Sequence, residues 1–231
     1  MNQAANAPWR SASCATDEEA RHDGPDGAQG FGAWDWALGQ GAAELTLRAG
    51  CAYSETPATR FPVAMSSATL ASLFGHKSWA NRELFAVLAA VPPSQAESVH
   101  PCIRMLNHIY VVDRLFRAHL SGEPRPFDAT NTERTPTLAE LQADVAATDA
   151  WYERHVAGLG AARLAEVIDF VFTDGDGGRM SREEILLHVI THGGYHRGNV
   201  GQMLKAMGVA PPRDLYTRFL HQSEPARRAP A

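Results

Sequence analysis

"HVITHGGYHRGNV", residues 188–200, sets His188, His192 and His196 at intervals of four. On a helix that spacing stacks side chains one turn apart on one face, roughly 5–6 Å between Cβ atoms, so two neighbouring imidazoles can converge on one ion. The flanking residues predict the helix. Ser181 with Glu184 forms a capping box, the apolar pattern runs on to Met207, and Gly208 followed by Pro211 and Pro212 closes it. The same face carries Ile185, Asn199, Met203 and Ala206, a largely apolar seam that turns the histidines inward. A lone inward histidine is ordinarily a hydrogen-bonded core residue. Three on one seam leave several ring nitrogens to satisfy in a low-dielectric interior, which one divalent cation does together.

Three further helices are predicted upstream. The first covers about residues 68–91, with Leu70, Leu73, Phe74, Leu84, Leu88 and Val91 on one face and Pro92-Pro93 as its stop. The second covers about residues 98–120, with Met105, His108, Val112, Leu115 and His119 on one side and Gly122 and Pro124 beyond its end. The third follows Thr137 and carries Leu138, Leu141, Val145, Thr148, Tyr152 and His155 at helical spacing, ending near Gly158 or Gly160. "VIDFVFTDGDGGRM", residues 167–180, is β-branched and aromatic before a glycine-rich turn and reads as a short extended piece. The fold class is therefore all-α, an antiparallel four-helix bundle.

Three residues stacked over two turns cannot surround a point, so another ligand must come from elsewhere. His108 on the second helix faces inward; His100 and His119 lie on the order of 12 Å and 16 Å along the axis from it and cannot share its ion. His119, near the helix end, reads as a surface residue complementing the helix dipole. His22, His76, His155 and His221 read as surface or packing residues. The spacing alone does not choose between the 188/192 and 192/196 pairs. A zincin would need Glu immediately after its first histidine, where this chain has Gly193, and a di-iron carboxylate bundle would need Glu-x-x-His on two helices. A mononuclear three-histidine site remains.

The rest of the composition bounds the function. The 231 residues are 45% hydrophobic, enough for one sizeable domain, and the net charge of -5 with no basic stripe argues against nucleic acid. No apolar run approaches the roughly 20 residues that cross a bilayer, and no secretory h-region opens the chain, so a cytoplasmic protein without a membrane partner is expected. Cys14, Cys51 and Cys102 are odd in number and far apart, with no CxxC pair, which argues against a disulfide framework and a thiolate zinc knuckle. Residues 1–64 lack sustained periodicity and read as a largely irregular N-terminal extension, disordered or preceding a natural start at Met65; residues 65–221 form the helical domain and 222–231 a flexible tail.

"LFGHKSWANRELFAVL" from Leu73, "LNHIYVVDRLFRAHLSGE" from Leu106 and above all "REEILLHVITHGGYHRGNVGQMLKAMGVAPP" from Arg182 resemble the DinB family of four-helix metalloproteins, also called DinB/YfiT-like. The resemblance covers about residues 67–212. It implies a divalent cation, zinc, nickel or iron, held by His108, His192 and His196, with His188 one turn back beside them. Gly193 and Gly194 stand where many relatives carry larger residues, and two glycines inside a helix cost roughly 1 kcal/mol each relative to alanine, so they make room over the metal or permit close helix contact. Gly198 reads as a helix-approach residue, Arg197 as the partner of an acid such as Asp113, and Tyr195 as a hydrogen-bonding or outward-packing neighbour.

Three imidazoles leave coordination positions open, as in working metal sites. Such a cation lowers the pKa of a bound thiol or water. The resemblance implies a thiol S-transferase-like enzyme using a low-molecular-weight thiol, for whose carboxylates Arg104, Arg114, Lys77 and Arg82 are the available cations, and a homodimer. The alternatives are a metal-dependent hydrolase of a small substrate, or a non-catalytic, stress-associated metal-binding protein.

Overall fold

The computed structural model describes residues 66–228. The readings made for residues 1–64, for the start at Met65 and for the last three residues lie outside the described residues.

The described chain is mostly helical. Ser66 opens α1 (Ser67–Ala89), its Oγ accepting from the Thr69 amide at 3.1 Å. Helix α2 (Ala96–Ser121) ends where Gly122 turns left-handed at φ 69°, a conformation glycine adopts without Cβ strain. Thr137 and Glu140 form a capping box at the start of α3 (Leu138–Ala157). A one-turn α4 (Ala161–Leu164) leads into an antiparallel hairpin, β1 (Val167–Val171) and β2 (Gly177–Ser181), in the register Val167↔Ser181. The capping box predicted at Ser181 is present, with the Glu184 amide 3.2 Å from Ser181 Oγ, and starts α5 (Arg182–Ala206). The chain then forms α6 (Tyr216–Ser223).

The fold adds to the sequence-based expectation in the following ways. The mainly helical class holds, and the extended piece read at residues 167–180 is present and closes into a small two-stranded sheet, because Phe170 turns inward against Phe116 while the glycines of β2 let its ring lie close. A Cβ at Gly178 would stand 2.4 Å from that ring. Helix α6 is not signalled by the sequence, and the boundary drawn at residue 221 falls within it; its eight residues are too few to stand out from the loop around them.

The long helices pack in a cycle, α1 against α3 and α5, and α2 against the same two. At one end Leu84, Leu106, Leu141 and Leu204 share a core cluster; at the other Phe74, Phe116, Tyr152 and Ile185 do. The residue order along these contacts makes α1 antiparallel to α3 and parallel to α5, and α2 antiparallel to α5 and parallel to α3. Uniformly antiparallel neighbours are thus not what forms. The connection from α2 to α3 runs back along α2 instead of making a tight turn, and its Asn131 and Thr132 accept hydrogen bonds from the buried Asn107 of α2. That return path places a loop beside the middle of α2, where the candidate site lies. None of the described helices is long and apolar enough to cross a membrane.

Candidate metal centre

His192 and His196 stand one turn apart on α5, and the α2–α5 packing brings His108 to them. The three ring centroids form a triangle with sides of 5.0 Å (108–192), 4.8 Å (108–196) and 4.5 Å (192–196). One nitrogen from each ring lies within 4.8 Å of the others, and the Nε2 atoms of His108 and His192 are 3.1 Å apart. Nitrogens about 2.0–2.1 Å from a zinc ion lie up to roughly 4 Å from one another, so small side-chain movements would close the set. All three side chains are half-buried.

The donor atoms can be assigned by elimination. His108 Nδ1 is 2.8 Å from the carbonyl oxygen of Thr130. A carbonyl only accepts, so this nitrogen carries the proton and leaves the Nε2 lone pair facing α5. In the neutral pair His192 Nε2 then donates to His108 Nε2, which leaves the buried Nδ1 of His192 with no hydrogen-bond partner. Burial, reinforced by the neighbouring histidines and Lys77, pushes the His192 imidazole down to about 3. Burial and His108 take His196 down to about 4. Burial also lowers His108, against the opposing pull of the Thr130 carbonyl. The rings are therefore neutral at physiological pH, the state in which imidazole ligates a metal.

The other sequence-predicted residues fall around this triangle in unequal ways. His188 stacks on His192 at 5.4 Å and tilts against Phe116 at 4.8 Å, so it forms a wall beside the triangle and not a corner of it. Tyr195 is 63% exposed and presents only a ring edge to His196. His119 is packed between Phe116 and Phe170, which corrects its reading as a surface dipole-complementing residue: the hairpin covers it. His76 sits in an aromatic group with Trp79, Tyr216 and Phe219, and His155 stacks on Trp151.

Arg197 pairs with Asp214, not Asp113, its Nε 2.7 Å from the carboxylate; the segment after α5 folds back and delivers that acid. Asp113 instead meets Lys77. Lys77 is 1% exposed and its Nζ lies 2.7 Å from both Asp113 and Asp149. Asp149 is fully satisfied, because Asn81 donates to its second oxygen at 2.7 Å, whereas Asp113 Oδ1 has no partner. Burial, reinforced by Asp149, accordingly pushes the Asp113 carboxyl up to about 6, Lys77 notwithstanding. The same two carboxylates hold the Lys77 ammonium charged against its burial, keeping its pKa above the ordinary lysine value.

Lys77 is thus withdrawn from the set of cations expected to receive a thiol's carboxylates. The remaining three are engaged elsewhere: Arg82 with Ser78, Arg104 with the Thr132 carbonyl, and Arg114 with Tyr110. Gly193 makes room for Lys77 and not for a cation, since a Cβ there would stand 3.4 Å from Lys77 Cε and 3.2 Å from Arg197 Nη1. Gly198 does not serve helix approach; a Cβ there would meet nothing within 4 Å.

Sequence reasoning missed Thr130, Asn131, Asp149 and Asp214. Asp149 had a usable signal, an acid four residues after Val145 on the inward face of α3. Thr130 had none, because it acts through its backbone carbonyl.

The sequence model described as the DinB family matches residues 65–228. Among curated proteins, Protein DinB of Bacillus subtilis (strain 168) is 26% identical over 161 residues, spanning 66% of this chain and 94% of that protein.

Proposed function

Because the chain belongs to the DinB family, we propose that its four long helices form a four-helix bundle carrying a divalent cation on His108, His192 and His196, and that it is a metal-dependent enzyme acting on a small molecule. The observation that carries this reading is the convergence of three neutral imidazoles from two helices, one of them oriented by a backbone carbonyl. The cation supplies a Lewis acid that lowers the pKa of an S–H or O–H group it takes up.

The chain's own residues do the rest. Thr130 holds the His108 proton on Nδ1 so that Nε2 is free to ligate. The half-buried setting excludes part of the solvent, and His188 and Phe116 supply an apolar wall beside His192. S-transfer from a low-molecular-weight thiol is the leading reaction on family grounds, with hydrolysis of a small substrate second. Lys77 is committed to Asp113 and Asp149, whereas Arg82, Arg104 and Arg114 donate to Ser78, the Thr132 carbonyl and Tyr110, neutral groups that leave the guanidinium charge in place, so the identity of the thiol is a matter for assay. Imidazole ligation suits zinc, nickel and iron alike.

Elemental analysis of protein purified without a polyhistidine tag tests the reading, with His108→Ala and His192→Ala alongside. About one metal ion per chain is expected in the native sequence and none in either variant. Unchanged occupancy in both variants would overturn the ligand assignment. A screen of thiols against electrophilic substrates on the loaded protein then decides the reaction.

A further inference from the structure

The connection from α2 to α3, residues 122–137, contains no helix or strand, yet it supplies the carbonyl that orients His108. A backbone group on an irregular loop keeps a fixed distance to a side chain only if the loop is tied down nearby. Arg104 donates to the Thr132 carbonyl and His100 meets Thr135 Oγ1, but the ties beside Thr130 run through the side chains of Asn107, Asn131 and Thr132. Asn107, 2% exposed and adjacent to His108, donates through Nδ2 to Asn131 Oδ1 and to Thr132 Oγ1, the latter at 2.7 Å. Asn131 returns a hydrogen bond from its own Nδ2 to the Arg104 carbonyl at 3.1 Å, and its Oδ1 also accepts from the Thr132 amide at 3.0 Å. Asn131 is therefore sewn to α2 at residues 104 and 107, one turn of helix, immediately beside the Thr130 carbonyl.

We infer that the Asn107–Asn131–Thr132 clasp is a positioning device for the metal centre: it holds the Thr130 carbonyl on His108 Nδ1 and so fixes which ring nitrogen faces His192 and His196. The purpose of the clasp rests on the metal reading, though its detection does not. Neutral imidazole carries its proton on either nitrogen, and the hydrogen bond made by one nitrogen decides the state of the other. Without the carbonyl, a proton on His108 Nε2 would point at His192 Nε2, 3.1 Å away, and would occupy the lone pair a cation needs. A pair of neutral amides suits this role, because it has no charge to repel a cation. Leaving a buried donor without its acceptor is costly, which keeps the loop in place. Asn131, Thr132 and Asn107 are positioning residues, since none touches the triad directly.

The test uses full-length protein with histidine rings labelled with nitrogen-15, stripped of metal by chelation. Ring proton–nitrogen correlation spectra should show His108 protonated on Nδ1 in the native sequence. Asn131→Ala should redistribute that proton between the two nitrogens and weaken zinc binding, read by competition with a chromophoric chelator, by about 10- to 100-fold. Thr132→Val removes one acceptor at an outer position and should move both readouts the same way by less, with the cooperative unfolding transition kept. It carries the test should Asn131→Ala fail to fold. Retention of the Nδ1 proton and of native zinc affinity in a folded variant would overturn the inference. If the native protein bound no zinc, the metal reading would fall, while the proton shift in the variants would still support the clasp and its absence would still refute it.

Discussion

His108 Nε2 and His192 Nε2 stand 3.1 Å apart although 84 residues separate them in the chain. No local preference can produce that distance; it follows from α2 lying antiparallel on α5, with Leu106 and Leu204 sharing one core cluster and Phe116 and Ile185 the other. The two nitrogens are brought to ligand-to-ligand spacing before any cation arrives. A cation bound there would take the place of the Nε2–H···Nε2 hydrogen bond, with the His192 proton carried on Nδ1 instead.

Metal should therefore stabilise the folded chain measurably. A ligand bound to the native state alone adds about 4 kcal/mol at a thousandfold excess over its Kd. Saturating zinc should raise the thermal midpoint of the native protein, chelator should reverse the shift, and His192→Ala should show no shift at all. Equal shifts in the two proteins would mean that the stabilising site lies elsewhere.

Lys77→Met should be among the most damaging substitutions in the chain. It leaves Asp113 and Asp149 buried without their ammonium, and breaking a buried pair from one side costs about 3–5 kcal/mol. Asp113→Asn should be milder than Asp149→Asn, because Asp113 already lacks a partner on Oδ1 and its carboxyl is pushed up to about 6. Denaturant unfolding of the three variants gives the order directly. Equal losses for the two aspartate variants would contradict the unequal satisfaction of the two carboxylates.

The Asp214 contact predicts an acid-sensitive element. Burial opposes ionisation of this carboxyl, but His76 at 3.0 Å and Arg197 at 2.7 Å outweigh it and hold the group down at about 2. A folded-state value below the ordinary 3.8 means that the stabilisation is complete above about pH 4 and is lost as pH falls toward 2. Its full size is roughly 2 kcal/mol. The difference in unfolding free energy between native protein and Asp214→Asn should narrow from pH 5 to pH 3. A gap that stays constant over that range would show that the carboxylate's charge is not its source.

Two glycines of α5 should respond oppositely to alanine. Gly198 faces open space, so Gly198→Ala should gain most of the helix-propensity difference, about 0.5–1 kcal/mol. Gly193→Ala would press on Lys77 Cε and Arg197 Nη1, the first held by buried aspartates and the second by the half-buried Asp214, and should show no such gain. Paired thermal melts distinguish the two, and equal stabilisation at both positions would remove the packing role assigned to Gly193.

Part of the fold is legible in the linear chain because it rests on local rules. The capping box at Ser181, the glycine stop after α2 and the apolar seams of the long helices depend on residues within a few positions of one another. The 167–180 segment shows its β-branched character, yet nothing local says that it covers His119. The two parallel contacts in the helix cycle are hidden for a related reason: they depend on the path of residues 122–137, whose anchors are side-chain hydrogen bonds to residues more than twenty positions away.

The histidine spacing by itself determined that α5 presents imidazoles along one inward face, since one turn of helix is a property of the backbone. It could not determine which two of the three would be used, nor that His108 would meet them. Tertiary packing decided that, by setting α2 and α5 at the height where 108 lies against 192 and 196 while 188 slides onto Phe116. It also decided the partners of the buried charges. Arg197 found Asp214 and Lys77 found two aspartates because desolvated charges must be paired by whatever the folded chain brings within reach, and reach is a property of the fold.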